Sequence, residues 1–196
     1  FLLLDLITPM VKSWPSKYGL KANELAIQVL GGSGYIREYP VEQYYRDNRL
    51  NPIHEGTEAI HGLDILGRKV LMNKGAGMKL FAKSVLATVE IATQLEQTKE
   101  FAPTLSAALA TLNEVTAVLT ARLAKDPDLA LANATIYLDL FGRVLASWMW
   151  LKQAIKAAQG LNSTDLHASD SNFYNGKLQA TRYYFQWELP EIYPQA

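Results

Sequence analysis

The sequence predicts an all-α fold, and three features of the chain point to it. Apolar residues recur at intervals of three and four along most of the chain, which places them on one face of a helix. Glycines and prolines stand mainly between these stretches, where helices end and begin. We find no stretch with the period-two alternation of a half-buried β-strand. The chain has 196 residues, 49% of them hydrophobic, which is enough to bury a core.

The N-terminal part of the chain predicts helices that are interrupted by glycine and proline. They are expected over residues 1–13, 16–30, 40–46 and 57–70. The first should end before Pro15, and the second at the pair Gly31-Gly32, a usual C-terminal signal. The GGSG sequence that starts at this pair then predicts a tight loop. Thr57 is the candidate N-cap of the last of these helices.

The rest of the chain predicts long amphipathic helices with few chemically suggestive residues. The NKGAG sequence at 73–77 is expected to be the joint before them. Apolar stripes predict helices over residues 78–95, 105–123, 126–160 and 169–188. Their width predicts a four-helix bundle. We therefore divide the chain into residues 1–74, which carry the candidate site, and an additional helical domain of residues 75–196.

Composition excludes several classes of partner and site. Lys+Arg and Asp+Glu both number 19, so the net charge is zero and there is no electrostatic footprint for nucleic acid or an anionic membrane. The sequence contains no cysteine, which excludes disulfides and thiolate metal sites and fits a cytoplasmic protein. No apolar run approaches the length of a membrane span. The chain begins with Phe1 inside an apolar run, so we expect that an N-terminal portion is missing.

Local chemistry alone leaves the candidate sites open. Glu55 stands just before a predicted helix, where a carboxylate most often compensates the helix dipole, although it could also be a base. The glycines at 31–34 do not form the GxGxxG motif, and a helix end with a turn is the favoured interpretation. They would equally let a ligand approach the backbone. His54 and His61 are seven residues apart, but Gly56 between them disfavours a metal site, so none is predicted.

The polar segment EYPVEQYYRDNR at 38–49 allows two interpretations, which we leave equally open. It could be a solvated helix in which Glu42 and Arg46 form an i,i+4 ion pair. Alternatively, Arg46 and Asp47 could be a buried pair that fixes a loop.

Several short motifs follow one another in a set order between residues 28 and 60. They are Gln28-x-x-Gly31-Gly32-x-Gly34-Tyr35, Glu38-Tyr39-Pro40-Val41-Glu42, Tyr45-Arg46-Asp47, Ile53-His54-Glu55-Gly56-Thr57 and Ile60. Each is common alone, but the ordered set resembles the C-terminal part of the acyl-CoA dehydrogenase family. The tail, with Phe173-Tyr174-x-Gly176-Lys177-Leu178-Gln179-Ala180, resembles the extra C-terminal helical domain of larger family members.

The resemblance implies an enzyme that oxidises acyl-CoA to trans-2-enoyl-CoA with FAD as cofactor. Glu55 matches the catalytic base, which removes the α-proton of the thioester while the β-hydrogen leaves as hydride to the flavin. Gly56 matches a residue whose missing side chain lets the acyl chain pass close to the backbone.

The resemblance also implies which residues contact FAD. The segment that contacts FAD held mainly by a neighbouring subunit is matched by Gln28, Val29, Leu30, Gly31 and Gly32. Thr57 matches a pyrophosphate contact at a helix start. Ala59 and His61 stand where the common EGT-x-Q-I-Q pattern has glutamines, so Ala59 occupies the position of the adenine-side contact.

Further expectations follow from the same resemblance. They include a homo-oligomer (dimer or tetramer), electron-transfer flavoprotein as electron acceptor, and no nucleic-acid or membrane partner. The first part of such an enzyme also encloses the site, so this chain alone is expected to be colourless and inactive. Two alternatives are a flavoprotein relative with a stress-response or DNA-associated role and a purely structural oligomerisation bundle.

Overall fold

The computed structural model describes residues 1–54, 56–164 and 166–196, and in these ranges it confirms the all-α prediction, without a β-strand. Its helices are α1 (Leu2–Leu30), α2 (Val41–Asn48), α3 (Glu58–Asp64), α4 (Met72–Thr93), α5 (Phe101–Leu123), α6 (Pro127–Leu131), α7 (Ala134–Leu161) and α8 (Ala168–Tyr183). Short 3₁₀ or π-helical segments cover Gly31–Gly34, Ile65–Lys69, Tyr184–Glu188 and Leu189–Gln195.

The two predicted N-terminal helices are one helix, so the predicted break before Pro15 is wrong. Both Pro9 and Pro15 lie inside α1. Each proline removes one backbone donor, which usually ends or kinks a helix. Here α1 packs along α4 and α7, and Leu6 and Met10 are fully buried in the shared core. Tertiary packing therefore holds α1 together where local propensity would interrupt it.

The molecule is built around α7, which packs against α1, α3, α4, α5 and α8. Helix α7 contributes more buried side chains than any other described helix, among them Leu140, Phe141, Val144 and Leu151. Phe81 of α4 meets Phe141 with ring centroids 5.0 Å apart. The predicted four long helices thus exist, but the central one, α7, also packs against α1 and α3, which border the candidate site.

The predicted joint before the long helices is present at the start of α4. Asn73, Lys74 and Gly75 all have positive φ angles, of 51°, 56° and 74°. Such left-handed backbone is unfavourable for residues with a Cβ atom and marks a sharp change of direction. Helical geometry then continues through the buried residues Met78 and Phe81.

One predicted helix start and one predicted helix need correction. α5 begins at Phe101, before Pro103, because the first N–H groups of a helix have no internal partners and tolerate proline. Asp126 caps α6 as expected, accepting the Leu129 N–H at 3.1 Å. The predicted 126–160 helix is divided, since α7 begins only at Ala134. At that point its backbone meets α3, where a Cβ added to Gly62 would lie 2.7 Å from the Ala134 carbonyl oxygen.

The last predicted helix begins at Ala168 and its α-helical part ends at Tyr183, earlier than expected. The predicted apolar stripe is only partly buried: Tyr184 is 9% exposed, whereas Phe173 and Trp187 are 60% and 68% exposed. The chain then continues through the π and 3₁₀ segments back to α7.

One helix in the described ranges, α5, is long and apolar enough to cross a membrane by length and composition. Core helices meet the same criterion. Leu105, Leu109 and Leu112 of α5 are buried in the core shared with α4 and α7.

We expect Gly142→Ala to destabilise the protein by about 1–3 kcal/mol, because the new methyl group would collide with the Trp14 ring across the α1–α7 contact. Urea unfolding measures the change. The matched control is Gly176→Ala, in α8, where nothing lies within 4 Å of an added Cβ. That variant should gain up to about 1 kcal/mol from helix propensity. Equal effects at both sites would contradict the close α1–α7 contact.

Candidate active-site segment

The glycine-rich end of α1 lies at the surface. Gly31 ends the helix with a φ of 58°, and its N–H group bonds the Gln28 carbonyl. Gly34 is buried, and a Cβ there would lie 2.5 Å from the Ile27 carbonyl oxygen, so packing explains that glycine. Gly32 is different, because nothing lies within 4 Å of the position that a Cβ atom would take and its φ is not positive. Contacts within the described chain do not require a glycine there.

The sequence around the candidate base is arranged as a turn into α3. Glu55 itself lies outside the described residues. Gly56 has a φ of 106°, which only glycine adopts readily, and its added Cβ would lie 3.2 Å from the His61 ring. Thr57 occupies the predicted N-cap position with extended backbone, and α3 starts at Glu58. The Thr57 side chain makes no capping hydrogen bond, so the expected cap is correct in position only.

The start of α3 faces the middle of α1 across a cavity of about 410 Å³. Lys17 and Leu20 of α1 line one side, and Ile53, Thr57 and Glu58 line the other. A second contact joins α2 to α1, because the Asn48 side-chain amide donates to the Asn23 side-chain Oδ1 at 2.8 Å. Asn48 and Glu58, which stand on either side of the candidate base in sequence, are therefore both bonded to α1.

The two groups of predicted cofactor contacts do not meet in one chain. Thr57 lies beside Lys17, whereas Gly31 follows Lys17 by fourteen residues along α1. A helical rise of 1.5 Å per residue puts about 20 Å between Lys17 and Gly31 along the helix. Val29 and Leu30, at the glycine end, are 86% and 42% exposed. Gln28 and Ala59 are exposed too.

A polar network, which we call the Asp139 network, joins α1, α3, α7 and the C-terminal 3₁₀ segment. The Lys17 Nζ donates to Asp139 Oδ1 at 2.8 Å and to Glu58 Oε1 at 3.1 Å. Asp139 Oδ2 accepts from Arg143 Nε at 3.1 Å and from the Gln195 amide at 3.0 Å. Asp139 and Arg143 are only 9% and 12% exposed, so these are largely buried charges.

Opposite effects set the pKa values in this network. Burial alone raises the pKa of Asp139, but hydrogen bonds from Lys17 and Gln195 and the charges of Lys17 and Arg143 outweigh it and lower the pKa. Burial lowers the pKa of Lys17, and its bonds to Asp139 and Glu58 raise it above the ordinary value. Both groups are therefore held in their charged forms at neutral pH.

Comparison with known proteins gives the family. The family model described as "Acetyl-CoA dehydrogenase C-terminal like" matches residues 81–196. The model described as "Acyl-CoA dehydrogenase, C-terminal domain" matches residues 5–71. The chain belongs to the acyl-CoA dehydrogenase family. The two matched ranges contain the long helices and the motif segment, respectively.

Curated acyl-CoA dehydrogenases resemble the chain over most of its length. A 3-methylmercaptopropionyl-CoA dehydrogenase of Ruegeria pomeroyi is 31% identical over 96% of this chain and 32% of its own length. A butyryl-CoA dehydrogenase of Syntrophomonas wolfei is 30% identical over 94% of the chain and 30% of its own length. A mitochondrial short-chain specific acyl-CoA dehydrogenase of Rattus norvegicus is 47% identical over 30% of the chain and 14% of its own length. The chain spans about a third of the length of the first two relatives.

Within this acyl-CoA dehydrogenase chain, the remaining candidate residues have simpler surroundings. The open question about the polar segment is settled in favour of a solvated helix. Arg46 is 70% exposed and lies 3.8 Å from the Glu42 carboxylate in α2, and Asp47 is exposed. His54 is exposed and His61 is buried. The residues that the structure describes contain no cluster of three metal-ligating side chains.

Sequence reasoning missed the Asp139 network. Lys17 and Asp139 are 122 residues apart, so no local pattern joins them. One signal was present: Asp139 and Arg143 have i,i+4 spacing on the otherwise apolar buried face of α7. Charges at core positions of a helix indicate a buried polar contact.

Proposed function

We propose that this chain supplies the catalytic base and part of the cofactor-binding surface of an acyl-CoA dehydrogenase, which oxidises acyl-CoA to trans-2-enoyl-CoA. Glu55 accepts the proton from the α-carbon of the thioester. The electron pair of that C–H bond becomes the Cα=Cβ bond as the β-hydrogen leaves with its own pair. FAD, when bound, would supply the acceptor for that hydride. The proton ends on the Glu55 carboxylate, so the step balances.

The observation that carries the proposal is Glu55-Gly56-Thr57 within the residues matched by the acyl-CoA dehydrogenase C-terminal domain. A glutamate is chemically suited to the step, because a carboxylate in a substrate-filled, water-poor site has a raised pKa and becomes a stronger base. The curated relatives named above are dehydrogenases of acyl-CoA thioesters.

Gly56 is proposed to give the acyl chain room beside the base. Its φ of 106° excludes most other residues, and its bare Cα atom faces the His61 ring at one side. A methyl group here would both strain the turn and narrow the path of the substrate.

The residues proposed to hold FAD lie at the surface of the chain, where a bound molecule can reach them. The open space over Gly32 permits close approach to the backbone, and Val29 offers an exposed apolar surface. Thr57 has a hydroxyl group without a capping bond, which suits a pyrophosphate oxygen, and Ala59 stands exposed on the adenine side. The two groups of contacts are separated along α1 by the rise of about 20 Å from Lys17, which lies beside Thr57, to Gly31. They are proposed to belong to two different FAD molecules, as in a homodimer or homotetramer.

The remaining parts of the proposal concern partners. Electrons are proposed to pass from the reduced cofactor to electron-transfer flavoprotein. We propose neither a nucleic-acid nor a membrane partner, and the zero net charge of the chain supports this. We also propose that residues 1–74 carry the site and that residues 75–196 form the additional helical domain. The matches to 5–71 and 81–196 support that division.

The test is anaerobic mixing of the full-length, FAD-loaded protein with saturated acyl-CoA thioesters of several chain lengths. We expect loss of the oxidised flavin absorbance and a stoichiometric trans-2-enoyl-CoA product, with free CoA as the inert control. We also expect the 196-residue chain purified alone to be colourless. A flavin that no acyl-CoA reduces would contradict the proposed reaction, and a yellow chain with stoichiometric flavin would contradict the need for the rest of the protein.

A further inference from the structure

The Asp139 network connects the far end of the chain to the start of α3. Glu188 and Gln195 belong to the C-terminal segments, and Asp139 and Arg143 belong to α7. Lys17 of α1 then links this group to Glu58, the first residue of α3. In sequence, Glu58 follows the proposed base Glu55 by three residues.

Both carboxylate oxygens of the buried Asp139 side chain accept hydrogen bonds. Asp139 accepts from Lys17 on one carboxylate oxygen and from Arg143 and Gln195 on the other. Arg143 in turn donates to the Glu188 carbonyl oxygen at 2.7 Å and to its carboxylate at 3.1 Å, and lies 5.9 Å from the centre of the Trp14 ring. Moving Lys17 away would leave a buried carboxylate undercompensated, so the position of its ammonium group is fixed.

The outer contact of the network, between Lys17 and Glu58, is more exposed to solvent and lies at the start of α3. The Lys17 and Glu58 side chains are 43% and 41% exposed, so their ion pair adds little stability of its own. The pair matters for the position of Glu58, because Lys17, Thr57 and Glu58 line the same cavity of about 410 Å³. A fixed ammonium group thus fixes the first residue of α3, and with it the turn that precedes α3.

We propose that Lys17 and Asp139 are positioning residues for the reaction: the C-terminal segment and α7 hold Asp139, Asp139 holds Lys17, and Lys17 holds Glu58 at the start of α3. The additional helices therefore help to set the place of residues 56–58, which directly follow the proposed base in sequence. This inference rests on the proposed function for its catalytic consequence, but the ordering of the turn is measurable without any turnover.

The experiment uses the full-length, FAD-loaded protein with the variants Asp139→Asn, Lys17→Met and Glu58→Gln. Amide hydrogen exchange of peptides that cover residues 56–64 reports on the turn, and anaerobic flavin reduction gives a limiting rate and an apparent Kd for acyl-CoA. The matched control is Lys21→Met, one helical turn after Lys17. The Lys21 ammonium group pairs with Glu24 in the same helix at 3.0 Å.

We expect exchange in 56–64 to rise several-fold in Asp139→Asn and Lys17→Met and to stay unchanged in Lys21→Met. The limiting rate of flavin reduction should fall about tenfold, with little change in Kd, because the base is displaced while the substrate surface remains. Lys17→Met combined with Glu58→Gln should be no slower than Lys17→Met alone, since both act through one contact. Lys17→Arg should recover part of the rate.

Unchanged exchange in 56–64 would overturn the inference, and so would a lower melting temperature with an unaltered reduction rate. Glu58 lies at the surface, so Glu58→Gln keeps the test decisive should Asp139→Asn fail to fold. Its exchange in 56–64 must also rise. A wild-type flavin that acyl-CoA does not reduce would defeat the proposed function alone, because the exchange result still decides the positioning.

Discussion

Glu55→Gln in the full-length protein is expected to slow flavin reduction by acyl-CoA by a factor of about 10²–10⁴. The amide has the size of the carboxylate but cannot accept the α-proton. The β-hydrogen then has no developing electron pair to assist its departure. Rapid-mixing measurement of the flavin absorbance under anaerobic conditions gives the rate constant directly. Binding of acyl-CoA should change much less, because the amide keeps most contacts of the acid.

The control for this substitution is Glu114→Gln on the exposed face of α5, far along the chain from the candidate site. It removes the same charge and should leave flavin reduction unaltered. If Glu55→Gln behaved like Glu114→Gln, the base would have to be another residue, and the assignment of this segment would fall.

Arg143→Met is expected to lower the free energy of unfolding by about 3 kcal/mol at neutral pH. Arg143 and Asp139 are 12% and 9% exposed, and removing Arg143 leaves the buried Asp139 carboxylate undercompensated, with Lys17 as the cation that still pairs with it. The Glu188 carbonyl and carboxylate would lose their donor as well. Urea unfolding of the full-length protein measures the effect.

The pH dependence of that loss follows from the lowered pKa of Asp139. A carboxyl group with a lower pKa in the folded state stabilises the fold above its unfolded pKa of about 4, and the contribution disappears as the pH falls through the folded value. Lys17, Gln195 and Arg143 stabilise its charged form. Glu58 and Glu188 pair with Lys17 and Arg143 in turn, and Tyr18 is close enough for its own pKa to be raised by Asp139. The difference between wild type and Arg143→Met should therefore narrow in acid.

An exposed pair provides the comparison for Arg143. Arg68 is 61% exposed and pairs with Asp64 in an i,i+4 arrangement at 2.6 Å. Arg68→Met should leave the free energy of unfolding unchanged within experimental error, because solvent screens such pairs. A loss at Arg143 no greater than that at Arg68 would contradict a buried, compensated network.

Periodicity predicted the helices well where burial and local propensity agree. The stripe of Phe81 and Val85 in α4 is fully buried, and the joint that the NKGAG sequence indicated is present before it. It failed where packing overrides a local rule. Pro15 sits inside α1 because α4 and α7 hold that helix, and proximity to Gly62 rather than any sequence signal marks the start of α7 at Ala134.

The candidate site divides in the same way. Motif order pointed to Gly32, Gly56 and Thr57, because their roles depend on short stretches of backbone that a sequence displays. The Asp139 network depends on the approach of α1 and α7, which are more than a hundred residues apart in sequence, and only the fold brings them together. Long-range polar contacts of this kind leave almost no local trace.

The most direct measurement of the central claim is exchange of the substrate α-hydrogen with solvent. Full-length protein with its flavin already reduced cannot consume the thioester, so α-deuterated acyl-CoA reports proton abstraction alone. We predict that wild-type protein replaces the α-deuterium with solvent hydrogen and that Glu55→Gln does so at least about a hundredfold more slowly. Equal exchange in the two proteins would contradict Glu55 as the base that this chain contributes.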